Sequence, residues 1–278
     1  MRGAMCALSK SEHFLHSRAM DIFAFSASSF MSFLLTLIRV SLLVFLMPFY
    51  KEDYFPIPVK AALCIVLTLS IWPQLSFPGE LFPAHPIAIG VLVLAEVVLG
   101  LLLALCVNFI FAAIHTGSEI MAFQMGFTMM SFADPTSGQN ASVTTHLLNA
   151  VCMMIFLSLD GHLILLRAMA DSFQYIPPGA VNITGTLTHD VLLLSAGIFS
   201  LAIRIAAPVI AALFLTELTL AIMGRAAPQM NLLTLGFPAK ISVGFFFIGI
   251  LFTTLTLYME DLIVGLGPMF DNILRSAR

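Results

Sequence analysis

The apolar run PIAIGVLVLAEVVLGLLLALCVNFIFAAI, from Pro86 to Ile114, decides the fold class of this protein, and its one charged residue is Glu96. A helix that crosses the hydrocarbon core of a bilayer needs roughly 20 predominantly apolar residues. The run exceeds that length, and an α-helix rises about 1.5 Å per residue. It is therefore long enough to cross a membrane and too long for an untilted crossing.

The whole chain shares this apolar character. Of its 278 residues, 60% are hydrophobic and 10% are charged, whereas a soluble domain is typically about 45–50% apolar and about 25% charged. The composition predicts a polytopic, all-α integral membrane protein. A net charge of −3 gives no sign of the basic stripe that nucleic-acid binding requires, so we exclude that class of partner.

Further apolar runs predict the remaining helices. They extend from Ser26 to Met47, Val59 to Ile71, Leu147 to Met169, Leu187 to Met223 and Ile241 to Leu266. The run that ends at Ile71 is short for a span, which favours a re-entrant or protein-buried helix. The run that contains Pro208 is long enough to form two helices hinged there, because proline removes a backbone donor and clashes with the preceding turn.

The chain is expected to form one folded unit. Residues 1–19 are polar and mixed, and they contain no apolar core of the length that a signal peptide needs. We interpret them as a disordered or non-native extension, and residues 20–278 as a single all-helical domain. The distribution of Lys and Arg between the predicted loops does not decide the membrane orientation.

Several charged side chains interrupt or flank the apolar runs, namely Arg39, Glu96, Glu119, Arg204 and Glu217. Such a charge costs about 2.5–3.5 kcal/mol at the centre of a membrane helix on insertion scales, so it faces protein or a wet cavity. Mixed signs favour pairing with each other or with a neighbouring subunit. The alternative is a small-solute or ion transporter that uses Arg39, Glu96, Arg204 and Glu217, but the internal repeat typical of such proteins is not visible.

The segment EIMAFQMGFTMMSFADPTSGQN, from Glu119 to Asn140, is rich in methionine and phenylalanine. The methionines recur at helical spacing as Met121, Met125 and Met129, with Phe123 and Phe127 between them and Phe132 after them. Methionine is unbranched and deformable, so such a surface can close around varied shapes, although core packing is the ordinary alternative. Nearby glycines and the DPTSG turn indicate a short, bendable element rather than a full span.

Motifs of enzymatic chemistry do not appear in the sequence. It contains no nucleophile elbow, phosphate loop or HExxH pattern. Its four cysteines are scattered singly, a spacing that suggests neither a disulfide framework nor a zinc site. Neither an enzymatic activity nor a cofactor is expected.

Five blocks of sequence resemble one known family. The stretch GRAAPQMNLLTLGFPAK, from Gly224 to Lys240, closely resembles the R-x-x-P-Q-x-N…G-F-P-x-K signature of the FliR family, the T-type export-gate component of type III secretion systems. The other blocks follow the family order: Arg39, Pro48, Phe49, Pro58 and Lys60; FQMGF with ADPTSG at 123–138; LDGHLIL at 159–165; and DSFQYIPPG at 171–179. Three departures are the extension 1–19, Asp160, where the family usually has Asn, and Glu217, where Asp or Asn is commoner.

This resemblance implies a non-enzymatic pore subunit of a bacterial protein export gate. Family members contribute one copy to an assembly with five P-type and four Q-type subunits, around which a B-type subunit wraps. Helical hairpins of these subunits form a cone within the basal body at the inner membrane, in contact with membrane lipid. Unfolded exported proteins pass through its centre.

The resemblance also implies roles for individual residues. The inner-pore plug of the family matches Met121–Asn140, which assigns the gasket to Met121, Gln124, Met125, Gly126, Phe127, Met129 and Phe132. Of these, Gln124, Met125, Gly126, Phe127 and Phe132 are expected to face the channel axis. The signature is expected to form a turn that contacts neighbouring subunits, with Gly224 and Pro228 ending one helix and Gly236 and Pro238 starting the next. Its residues are Arg225, Pro228, Gln229, Asn231, Gly236, Phe237, Pro238 and Lys240.

Overall fold

A computed structural model describes residues 27–50, 55–74, 85–127, 143–176, 185–227, 229 and 232–277. The α-helices in these ranges are α1 (Ala27–Leu46), α2 (Ile57–Ile71), α3 (Pro86–Met125), α4 (Val143–Ser158), α5 (Gly161–Tyr175), α6 (Gly185–Ala226) and α7 (Leu232–Ser276). Two 3-10 turns, Pro48–Tyr50 and Trp72–Gln74, complete the regular structure of these ranges. The predicted all-α class is confirmed, whereas the expected extension 1–19 lies outside the described residues.

Helices of membrane-spanning length dominate the fold. By length and composition, α1, α3, α6 and α7 could each cross a membrane, and the bent pair α4 and α5 could supply a fifth span. This agrees with the predicted polytopic membrane protein. As predicted, α2 is shorter than a span, with 15 residues, and it buries Lys60, Cys64 and Thr68 on one face.

Helix α3 is the centre of the packing, since it contacts α1, α4, α6 and α7. Pro86 occupies its first turn, where a missing N–H costs least, and His85 accepts a hydrogen bond from the amide of Ile87. The helix ends at Gly126, which adopts the left-handed conformation at φ +91°. Glycine is the residue that enters this conformation without a Cβ penalty, which makes it the usual stop signal after a helix.

The predicted short, bendable element beginning at Glu119 is wrong for the part that the structure describes. Residues up to Met125 form the last turns of α3, which is 40 residues long. Gly117 lies inside this helix and allows close packing. A Cβ at Gly117 would lie 2.9 Å from the carbonyl oxygen of Ala202 in α6, so the missing side chain lets the two helices approach.

The predicted single run from Leu147 to Met169 is two helices. Helices α4 and α5 meet at an angle of 65°, and the residue at the bend, Asp160, has φ +56°. Aspartate and asparagine tolerate this left-handed conformation better than other residues with a side chain. The next residue, Gly161, lies under the ring of Phe156, where a Cβ would come 2.5 Å from a ring carbon.

Two proline-based boundaries are also wrong. Helix α6 continues through Pro208, and α7 begins at Leu232 with Pro238 inside it, so Gly236 and Pro238 do not start that helix. One proline removes only one backbone donor, a loss that the other hydrogen bonds and contacts of a long helix can outweigh. In α6, for example, Val209 is fully buried immediately after the exposed Pro208.

A buried ion pair joins the first half of the fold. Arg39 of α1 and Glu96 of α3 are both 0% exposed, with Nε 2.6 Å from Oε2 and Nη2 3.0 Å from Oε1. Arg39 also donates to Ser172 Oγ at 3.2 Å and to the carbonyl of Ile176 at 3.4 Å, and it stacks 4.1 Å from the ring centre of Phe173. The expected pairing of buried charges therefore holds for Arg39 and Glu96, and the pair connects α1, α3 and the end of α5.

The backbones of α1 and α3 come unusually close beside this pair. A Cβ at Gly100, one turn after Glu96, would lie 2.9 Å from Leu42 Cβ and 3.2 Å from the carbonyl oxygen of Arg39. The short separation brings both carboxylate oxygens within reach of the guanidinium. A bidentate pair of this kind gives orientation as well as energy.

Replacing Arg39 by Gln is expected to destabilise the protein by about 3–5 kcal/mol, because it leaves the Glu96 carboxylate buried without its counter-charge. Thermal unfolding of the detergent-extracted protein measures this change. Arg167→Gln is the matched control, because Arg167 is exposed on α5 and surface changes usually stay within about 0.5 kcal/mol. Equal melting temperatures for the two variants would show that the pair does not hold the helices together.

Candidate functional site

The end of α3 lies against the first part of α7, so two of the sequence blocks meet in space. The Met125 side chain is fully buried and packs on the bare backbone of Gly244, where a Cβ would lie 2.6 Å from Met125 Cε and 2.8 Å from its sulfur. The rings of Phe127 and Phe245 stand edge to face with their centres 6.3 Å apart. We call this contact, together with the polar groups beside it, the terminal site.

Gly126 occupies the turn of the terminal site. Its backbone is in the left-handed conformation, and a Cβ at this position would also lie 2.8 Å from the ring of Phe237. Two independent constraints thus favour glycine, one from the backbone torsion angle and one from the neighbouring ring.

A polar cluster closes the terminal site on the side of α6. Lys240 Nζ of α7 lies 2.8 Å from Glu217 Oε1 of α6, and Gln124 Nε2 of α3 donates to Glu217 Oε2 at 3.4 Å. The two charged side chains are 21% and 51% exposed. Exposed ion pairs in water contribute about 0.2–1 kcal/mol, so this cluster connects three helices with a weak bond.

The predicted gasket residues fall into three groups. Met121 and Met125 are fully buried within the chain, while Gln124, Gly126 and Phe127 are partly exposed at the edge of the terminal site. Phe123, which is not one of the predicted gasket residues, lies on the face of α3 opposite to Met125 and is 66% exposed. Met129 and Phe132 lie outside the described residues, and the orientation of the gasket towards a channel stays a prediction.

The signature residues are distributed over the α6–α7 connection and the first turns of α7. Arg225 is exposed in the last turn of α6, where a cation is favoured by the partial negative charge of the helix C-terminus. Gln229, Phe237 and Pro238 are exposed, and Gly236 is buried. Pro228 and Asn231 lie outside the described residues.

Lys240 lies inside α7 rather than in the turn where the signature was expected to end. The pairing of Lys240 with Glu217 was not predicted. The signal was available, since the two residues stand at nearly equal distances from the α6–α7 connection and consecutive helices with a short connection are antiparallel neighbours. Gly244 and Phe245 were missed because nothing in a run of apolar residues distinguishes the face that meets α3.

The remaining charges do not form one path. Arg204 is exposed on α6, and one carboxylate oxygen of Glu119 is buried without a hydrogen-bond partner among the described residues. Glu96 and Gln124 both lie on α3, and Gln124 is the residue of that helix that contacts Glu217. At 1.5 Å per residue, these two positions are separated by about 42 Å along the helix axis. The two observed ion pairs therefore lie far apart, which disfavours a single ion relay.

Comparison with known proteins gives a consistent result over most of the chain. Residues 30–266 match the family described as bacterial export proteins, family 1. The chain is 32% identical over 240 residues to the flagellar biosynthetic protein FliR of Pectobacterium carotovorum subsp. carotovorum, with 85% of this chain and 90% of that protein covered. It is 29% identical over 220 residues to FliR of Bacillus subtilis (strain 168), which covers 78% of this chain and 84% of the relative.

A virulence protein shows the same similarity over a shorter range. The surface presentation of antigens protein SpaR of Shigella flexneri is 29% identical over 185 residues, which cover 66% of this chain and 70% of SpaR. The family match extends over the buried ion pair and the terminal site. From the matched family, the coverage and the membrane-length helices, we conclude that this chain belongs to the FliR family of bacterial export proteins.

Proposed function

We propose that the chain is the pore-forming core subunit of a type III protein export gate in the bacterial inner membrane, within the basal body. As a FliR-family protein it is a component of a type III export apparatus. Unfolded substrate proteins would cross the membrane through the assembly, and the segment around the terminal site would seal the closed channel. The observation that carries this proposal is the docking of Met125 and Gly126 against Phe237 and Gly244, which joins the predicted plug to the signature.

The terminal site combines a strongly buried part with a weakly held edge, as a seal requires. We call Met121 and Met125 its base, and we call the Phe127–Phe245 ring pair with the Glu217–Lys240 ion pair its rim. Met121 and Met125 are fully buried. Replacing a buried methionine by alanine removes apolar contacts and leaves a cavity, which costs about 2–5 kcal/mol. The Phe127–Phe245 pair is worth about 0.5–1.5 kcal/mol beyond its buried area. The rim can therefore yield while the base stays in place.

The exposed apolar faces of α6 and α7 support an assembly rather than a solitary protein. Only 33% and 22% of their spanning windows are buried within the chain, compared with 56% for α3. Large apolar surfaces of this kind mark contacts with lipid or protein. We propose P-type and Q-type export subunits as the protein neighbours, in five and four copies, with a B-type subunit around them.

Replacing Met125 and Phe127 together by Ala should make the closed gate leak small ions, because both changes remove volume from the proposed seal. Assembly should persist, since α6 and α7 keep their outer faces. A membrane-potential dye in cells that express the variant measures the leak. Met154→Ala is the control, because this methionine is 72% exposed on α4. If the double variant and the control conduct ions equally, the residues do not seal a channel.

Gly126→Ala should impair export because the new Cβ would both strain the left-handed backbone and press on the Phe237 ring. The strain costs about 1–2 kcal/mol, comparable to the contacts that hold the rim. Export is measured as secreted substrate in a strain that lacks its own copy of the gene. Gly90→Ala in the same helix meets nothing within 4 Å and should export normally. Equal export by both variants would show that the turn at Gly126 is not needed for export.

Arg225→Ala should weaken copurification with the P-type and Q-type subunits. Arg225 is exposed at the end of α6, where it can reach a neighbouring chain without a role in the core of its own. Affinity purification from cells that express all the subunits, followed by mass measurement of the extracted particle, tests this contact. Arg167→Ala on α5 is the matched exposed arginine. Undiminished recovery of both partners with Arg225→Ala would show that the signature turn is not a subunit contact.

A further inference from the structure

A cavity of about 360 Å³ opens between α3, α6 and α7. It lies apart from the terminal site, because its charged residue on α6, Arg204, precedes Glu217 by about 20 Å along the helix. Its walls are apolar and come from the Cys106–Ile110 turn of α3, from Leu194 and Leu201 of α6, and from Met269 of α7. Sites for small ligands typically measure about 300–1,000 Å³ and are mostly apolar with a few polar groups.

The two charged residues of the cavity lie at the same end of it. Lys240 contacts Glu217 near one end of the α6–α7 pair, and Ser276 Oγ donates to Asp190 Oδ2 at 2.7 Å near the other. These contacts fix an antiparallel register in which Arg204 lies within about one helical turn of the level of Asp261, and Leu194 lies close to the level of Met269. Apart from Ser200, which also lines it, the cavity is therefore charged at one end and apolar for about 15 Å beyond it.

Both charges lack a partner within the part of the chain that the structure describes. Arg204 and Asp261 are exposed, and neither forms an ion pair or hydrogen bond with the described residues. Charges on membrane helices are costly unless they meet a counter-charge, a wet cavity or the interface. A ligand with an anionic group, a cationic group and an apolar tail would satisfy both side chains and fill the walls.

We propose that this cavity binds a phospholipid with a zwitterionic head group that carries a primary amine, the chemistry of phosphatidylethanolamine. The Arg204 guanidinium donates to the lipid phosphate, because its planar fork matches phosphate geometry. The lipid ammonium donates to the Asp261 carboxylate. One acyl chain lies along the apolar walls between Leu194 and Met269.

Two glycines keep the cavity open. Gly197 of α6 and Gly265 of α7 both line it, and a Cβ at either position would meet nothing within 4 Å. Helix packing therefore does not require glycine there, and a larger side chain would enter the cavity without a clash. Each position offers a variant that fills the cavity while leaving the helices in place.

The test compares lipid retention by the full chain in native mass spectrometry, after delipidation and addition of phosphatidylethanolamine, phosphatidylcholine or phosphatidylglycerol. Wild-type protein is expected to retain phosphatidylethanolamine about tenfold better than phosphatidylcholine, whose quaternary amine cannot donate a hydrogen bond. Gly265→Leu should reduce this retention about tenfold. Gly249→Leu is the control in the same helix, since Gly249 also has open space around it, and it should bind as wild type does.

Two charge variants separate the parts of the head group. Asp261→Asn should remove the preference for phosphatidylethanolamine over phosphatidylglycerol, and Arg204→Gln should weaken retention of both lipids. Equal retention by Gly265→Leu and Gly249→Leu, or no selectivity among the three lipids in the wild type, would overturn the proposal. A photo-crosslinker at Leu194 that joins a protein subunit instead of lipid in membranes would also overturn it, because the occupant would then be a partner helix.

Discussion

The ion pair between Arg39 and Glu96 is the constraint on which the arrangement of the helices depends. Both side chains are fully buried, and the guanidinium makes hydrogen bonds to α3 and to the end of α5. A buried ion pair is weak evidence for net stability, because desolvation offsets most of the attraction. Its contribution here is orientation. A rotation of α3 by one residue would turn Glu96 away by about 100° and leave both charges unpaired.

Helix α3 carries this orientation to the terminal site. Close backbone approaches at Gly100 to α1 and at Gly117 to α6, followed by the contact of Met125 with Gly244, determine how the helix lies along most of its length. Each contact depends on a missing Cβ or on a flexible methionine side chain. Protein interiors are packed densely enough to transmit small displacements, so the position of Gly126 follows from contacts that lie far from it.

The presence of the helices could be predicted from the sequence, because long apolar runs report burial or lipid contact directly. Their ends could not be predicted where local rules competed with packing. Pro208 and Pro238 each predicted a boundary and lie inside helices. The bend of 65° lies at Asp160 and Gly161, inside a run that was predicted as one helix although the Asp-Gly dipeptide favours a turn. The mixed signs of the charges favoured pairing without naming partners, so the specific pair of Arg39 with Glu96 came from the structure. The contact of Glu217 with Lys240 could have been inferred from the antiparallel arrangement of α6 and α7, but it was missed.

Burial is distributed unevenly along the chain. Helix α3 satisfies most of its apolar surface within the chain, whereas α6 and α7 leave most of theirs to lipid or to other proteins. Burial of an outer apolar face stabilises the protein in proportion to the apolar area that is removed from water. The rim of the terminal site has only a ring pair and a partly exposed ion pair. A change at that rim therefore costs far less free energy than a change at the outer faces, as the proposed seal requires.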